Sequence, residues 1–139
     1  MEINLKELVL DLELNYDTIR NNDLIISVAN KAILYSGAKI YGTPKKDIWL
    51  PHGLQYYVTI TTSHAIFTTY PEANYLTINF ATCGNVDFNK FIDLVLKELK
   101  PIKIIRQYTT IRTPFTTCDF KPIDCKKYPL CLNCSECKG

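Results

Sequence analysis

The chain has 139 residues, 47% of them hydrophobic and 22% charged, which is a globular composition of about one domain's length and excludes a disordered chain. A formal net charge of +2 is too small to argue for nucleic acid, and Lys97, Lys100, Lys103, Arg106 and Arg112 read as an ordinary solvated face. No apolar run approaches membrane-spanning length, and Glu2, Glu7, Asp11 and Glu13 do not suit a signal peptide, so a cytoplasmic protein with reduced thiols is expected.

Leu8 to Leu14 alternates apolar and acidic residues towards its end and predicts a first strand. Asn21-Asn22-Asp23 offers capping side chains for a helix over Leu24 to about Tyr35, with Gly37 at its C-terminal cap. Lys39-Ile40-Tyr41 predicts a short strand. Pro44 and Pro51 bracket a predicted loop that holds the only tryptophan, Trp49. Gln55 to Thr62, Ala65 to Tyr70 and Tyr75 to Phe80 are rich in β-branched and aromatic residues and predict three successive strands. Pro71-Glu72-Ala73-Asn74 supplies turn chemistry between the last two. Asp87 is a good N-cap for a helix over Phe88 to Lys100, ended by Pro101, and Lys103 to Ile111 predicts a last strand. This β-α-β-β-β-β-α-β order predicts an α+β two-layer sandwich, a mostly antiparallel sheet with two helices on one face. The domain is expected to span residues 1–114, with a cysteine-rich tail over 115–139.

Ser63 stands at one strand boundary and Cys83 follows another strand. On residue type alone, such a serine is equally a turn residue, and such a cysteine a small apolar side chain. The neighbouring motifs add information. Ser63-His64, Thr69-Tyr70-Pro71-Glu72 and Thr82-Cys83-Gly84 occur in that order, behind Trp49, Pro51 and Gly53. In order and spacing this set resembles the S-adenosylmethionine decarboxylase family of small prokaryotic pyruvoyl enzymes, and the element order agrees from about residue 5 to residue 112.

The resemblance implies a decarboxylase of S-adenosylmethionine in polyamine (spermidine) biosynthesis, self-cleaved between Thr62 and Ser63. Ser63 would become the pyruvoyl cofactor, an electron sink comparable to pyridoxal phosphate. Cys83 would be the proton donor, since a thiol of tuned pKa can deliver a proton near neutral pH. Trp49 would stack on adenine and Glu72 would accept hydrogen bonds from ribose hydroxyls, with Thr68 and Tyr70 also lining the substrate. A homodimer or higher assembly, with active sites near the subunit interface, is implied as well.

The resemblance breaks at four positions. Thr68 stands where the family has a histidine that assists self-processing, and a threonine hydroxyl is no base near neutral pH. Gln55 replaces a second processing serine, Tyr56 a small glycine, and Thr62 a usually acidic residue. Three readings stay open: processing with His64, His52 or a water in the missing role; a pyruvoyl decarboxylase of another amino acid such as arginine or ornithine; or an unprocessed, non-catalytic homologue.

Five of the six cysteines lie after residue 117. Cys131-x-x-Cys134-x-x-Cys137 with Cys125 upstream offers four thiolates suited to zinc or an iron–sulfur cluster, or else a tail of free thiols or, in a thermophile, disulfides.

Overall fold

A computed structural model describes residues 5–49, 51–61 and 63–112. The tail cysteines Cys118, Cys125, Cys131, Cys134 and Cys137 lie outside the described residues, as does Thr62.

Six strands form one sheet: β1 (Leu5–Glu13), β2 (Lys45–Trp49), β3 (Gly53–Ile60), β4 (Ser63–Tyr70), β5 (Tyr75–Thr82) and β6 (Lys103–Arg112). Their spatial order is β2-β3-β4-β5-β1-β6 and every pairing is antiparallel. Alternation decides what each strand buries. Leu54, Tyr56 and Val58 of β3, Ala65 and Phe67 of β4, Leu76, Ile78 and Phe80 of β5, and Leu8, Leu10 and Leu12 of β1 share one buried face. The α+β sandwich is therefore as expected, with the helices on that face.

The helices are α1 (Tyr16–Ile19), α2 (Asn22–Tyr35) and α3 (Phe88–Leu99). The Asn21 side chain caps α2 by accepting from the Leu24 N–H at 3.1 Å, and Asp87 caps α3 by accepting from Asn89 and Lys90. Ser36 closes α2, and Gly37 follows with φ +98°, a left-handed conformation that glycine adopts without steric cost. Lys100, also left-handed, ends α3 before Pro101. On α2 the buried positions are Ile25, Val28, Ala29, Ala32 and Ile33; on α3 they are Phe88, Phe91, Ile92, Val95 and Leu99. Phe91 meets Phe80 edge-on at 4.9 Å and lies 6.1 Å from Phe67, which seats α3 over β4 and β5.

Two local expectations need correction. Lys39-Ile40-Tyr41 forms only an isolated bridge, Ile40 to Ile60, and no strand. The expected loop around Trp49 is strand β2, whose residues are all exposed and so carry no apolar alternation to read. Helix α1 is a single turn capped by Asn15, too short for a periodic signal.

Tyr56 joins the layers. Its hydroxyl donates to Asn30 Oδ1 on α2 at 2.7 Å, and burial raises its pKa above the ordinary phenol value. A folded pKa above the unfolded one stabilises fully below the unfolded value of about 10 and ceases to do so as pH rises through the folded value. Tyr56→Phe should therefore cost about 1 kcal/mol in urea unfolding near neutral pH. It should also lose less stability than wild type as pH rises beyond 10, and an unchanged alkaline profile would count against this account.

Candidate active site

Ser63 opens β4 directly after the β3–β4 connection, its backbone paired with Ile60 on one side and Thr82 on the other. Cys83 is the next residue after Thr82 and is exposed. The pairing therefore brings Ser63 and Cys83 to one end of the sheet, Ser63 on β4 and Cys83 just past the end of the neighbouring β5. The Ser63 Oγ lies 3.4 Å from Nδ1 of His64, with donor and acceptor set by the imidazole tautomer.

The turn after Cys83 is held from three directions. The Gly84 N–H donates to Thr82 Oγ1 at 3.0 Å. Lys6 Nζ of β1 donates to the Val86 carbonyl at 2.8 Å and sits 5.3 Å above the Phe88 ring. The Asp87 N–H donates to the Ser36 carbonyl at the end of α2 at 2.9 Å. An open cleft of about 540 Å³ lies behind this turn, lined by Lys6, Ser36, Asn85 to Asn89 and Thr109. Neither Ser63 nor Cys83 lines it.

The other candidate residues gather at the opposite end. Thr68 is five residues along β4 from Ser63, about 17 Å at strand rise. It is the direct cross-strand partner of Gln55, with Asp47 beyond Gln55 and Thr77 on the other side. Two of the departures from the family pattern, Gln55 and Thr68, are thus one place on the sheet. Tyr70 ends β4, 41% exposed, with its ring 5.8 Å from that of Tyr75. Glu72 is exposed in the 3-10 turn Pro71–Ala73. That turn is braced by Arg20, which donates to the Pro71 carbonyl at 3.2 Å and stacks 3.6 Å from the Tyr16 ring centre. Leu14 N–H donates to the Asn74 carbonyl at its far side.

Beyond the Gln55–Thr68 pair the buried Thr69 hydroxyl accepts the Leu54 N–H at 2.9 Å, so a side chain continues the strand linkage there. One residue on, Gly53 pairs with Trp49. The indole lies directly over Gly53: a Cβ there would fall 1.9 Å from Trp49 Nε1. The glycine is thus needed for close approach and holds the indole at the end of the β2–β3 hairpin. Trp49, Gln55, Thr68 and Tyr70 all belong to the sheet face that the helices leave uncovered, by alternation with the buried positions.

One cluster on that face escaped the sequence reading. Asp11 is only 5% exposed, and Arg106 Nη1 donates to its Oδ2 at 2.7 Å. Burial and the hydrogen bond with Asp11 push the Tyr75 phenol up, and the Asp11 carboxylate raises the Arg106 pKa. The available signal was an acidic residue inside the apolar run of β1, whose partner lies 95 residues away. Among the described residues no group of three or more His, Cys, Asp or Glu is placed to hold a metal ion.

Gly53→Ala should displace the indole without unfolding the sheet. With one tryptophan in the chain, its emission spectrum and near-ultraviolet dichroism should both change while the far-ultraviolet spectrum stays constant. An unaltered tryptophan spectrum would refute the packing described.

Comparison with known proteins gives a consistent assignment. The sequence profile described as S-adenosylmethionine decarboxylase matches residues 6–110. The S-adenosylmethionine decarboxylase proenzyme 2 of Bacillus cereus is 38% identical over 68 residues, 48% of this chain and 54% of that protein. The chain thus spans about half the length of that relative. The S-adenosylmethionine decarboxylase proenzyme of Thermotoga maritima is 33% identical over 93 residues, 66% of this chain and 71% of that protein. The fold is similar to the crystal structure of the adenosylmethionine decarboxylase from Aquifex aeolicus VF5, with a TM-score of 0.64 at 20% identity over 86% of this chain and 97% of that one. With a family profile matched across most of its length, this chain belongs to the S-adenosylmethionine decarboxylase family.

Proposed function

We propose that the chain is a pyruvoyl-dependent decarboxylase of S-adenosylmethionine that supplies polyamine (spermidine) synthesis in the cytoplasm and is self-cleaved between Thr62 and Ser63. The observation that carries this reading is the β4–β5 pairing, Ser63 with Thr82, which sets the cofactor precursor beside Cys83. Ser63 suits the precursor role: it opens a strand, is partly exposed, and is followed by β4 residues whose ladder bonds would hold a new chain end in place. Once formed, the pyruvoyl group would supply an electrophilic ketone that takes up the electron pair released with carbon dioxide. The Cys83 Sγ would hold the proton for the substrate carbon, on a turn pinned by Lys6 and Thr82. Trp49 offers an aromatic face for adenine, Glu72 offers acceptors for ribose hydroxyls, and Thr68 and Tyr70 line the space between them.

Within one chain those groups are about 17 Å or more from Ser63. The separation supports a homodimer or higher assembly in which two uncovered sheet faces meet. The Trp49 to Glu72 end of one copy would then stand against Ser63 and Cys83 of the other. A second substrate reading is favoured by one observation. Gln55 and Thr68 face each other where the resemblance expects a serine and a histidine, so the departures fall together in the substrate region. That arrangement suits another α-amino acid, such as arginine or ornithine; a chain that never processes is the remaining reading.

Denaturing mass spectrometry tests the core of the proposal. Cleavage should give fragments 1–62 and 63–139, the second blocked at its N-terminus, and Ser63→Ala should remain intact. A wild-type chain that stays whole on prolonged incubation overturns the pyruvoyl reading. Carbon dioxide release from S-adenosylmethionine, but not arginine or ornithine, is expected of the cleaved protein. Cys83→Ala should lower that rate by roughly 10²–10⁴-fold. Mixing inactive Cys83→Ala and Glu72→Gln subunits should regain activity if the site is shared between copies, and no regain would argue for sites complete in one chain.

The tail, residues 115–139, is proposed as a separate unit carrying zinc or an iron–sulfur cluster on Cys125, Cys131, Cys134 and Cys137. Protein purified without oxygen or chelator should contain metal that is lost on Cys131→Ser with Cys134→Ser. Metal-free protein would leave a tail of free thiols.

A further inference from the structure

We infer that His64 is the general base that activates Ser63 for self-cleavage, acting within its own chain. The inference rests on the reading that Ser63 is processed, and it supplies the base that Thr68 cannot be. The Ser63 Oγ and His64 Nδ1 are 3.4 Å apart, close enough for proton transfer after a small adjustment. The chain has two histidines. The other, His52, precedes Gly53 at the start of β3, whereas Ser63 pairs with Ile60 at the strand's far end. Within one chain seven residues of strand, about 24 Å, separate the two ends; His52 of a second copy, at the end the proposed assembly sets against Ser63, is the rival that the test distinguishes. Position 68 is likewise about 17 Å along β4 and bears no base.

The surroundings leave the imidazole available. His64 is exposed at the sheet end, flanked in register by Thr59 on β3 and Ala81 on β5. The carboxylate in its row is Glu7 of β1, opposite Ala81 and already paired with Arg112 of β6.

The step balances without an outside oxidant. Nδ1 takes the Oγ proton as Oγ bonds to the Thr62 carbonyl carbon. The Ser63 nitrogen leaves that carbon and receives the proton from the imidazolium, so an ester replaces the peptide bond. The imidazole, neutral again, takes the Ser63 Cα proton as the Cβ–Oγ bond breaks and the Thr62 carboxylate leaves, and it passes that proton on to the departing ammonia. Water adds to the resulting unsaturated centre, ammonia departs, and the ketone remains.

The test follows cleavage by denaturing mass spectrometry in wild type, His64→Asn and His52→Asn, with dichroism confirming that each is folded. The wild-type rate should fall in acid, since only neutral imidazole is a base. His64→Asn should cleave at least about 100-fold more slowly, lose that pH dependence and recover with added imidazole, while His52→Asn matches wild type. Wild-type cleavage in His64→Asn, or cleavage abolished by His52→Asn instead, would overturn the assignment. If wild type itself stays intact, the processing reading falls and this one falls with it.

Discussion

The register of β4 between β3 and β5 is the constraint on which the rest of the molecule depends. Ser63 pairs with both Ile60 and Thr82, and each later β4 position inherits its neighbours from that start. Ala65, Phe67 and Thr69 consequently point to the helices, while His64, Ile66 and Thr68 lie on the uncovered face. A slip of one residue would turn Phe67 out of contact with Phe91 and send polar side chains into the core. The aromatic packing of α3 on β4 and β5 therefore holds the same register that pairs Ser63 with Thr82, the residue before Cys83.

The two ends of β4 are stabilised by different means. At the Ser63 end, backbone pairing is reinforced by the pinned turn from Cys83 to Asp87, which draws on β1, β5 and α2 together. At the Tyr70 end, the Thr69 hydroxyl and the Arg20 guanidinium bind backbone groups, and the indole of Trp49 covers Gly53. A serine, a thiol and an imidazole thus sit at one end of the sheet, and aromatic and carboxylate groups at the other. The uncovered face between them carries the buried Asp11 and its partner Arg106. A paired buried charge there does little for net stability, but leaving Asp11 without its partner would be costly.

Much of the fold was legible because its signals are local. Tyr75 to Phe80 alternates with period two and is found within β5; Asn21 and Asp87 are capping side chains and cap their helices. Strand β2 was not legible, since an edge strand exposed on both faces needs no apolar alternation. Helix α1 was too short to show a period, and Lys39-Ile40-Tyr41 had strand composition but pairs through one bridge only. In the site, the residue types of Ser63, Cys83, Trp49 and Glu72 could be read together with their order. Their division between two ends of one sheet could not, because sequence spacing does not report strand direction.

The sequence by itself determined the family, the alternating and capped segments, and the residues Thr68 and Gln55 that depart from the family pattern. These are properties of single residues or of short windows. Only the tertiary structure decided that Gln55 and Thr68 are cross-strand neighbours, that Asp11 is buried against Arg106, and that His64 is the imidazole within reach of Ser63 Oγ. Each of those facts depends on which strands pair and in what register. That choice is made by burying the apolar faces of the whole sheet against α2 and α3 at once.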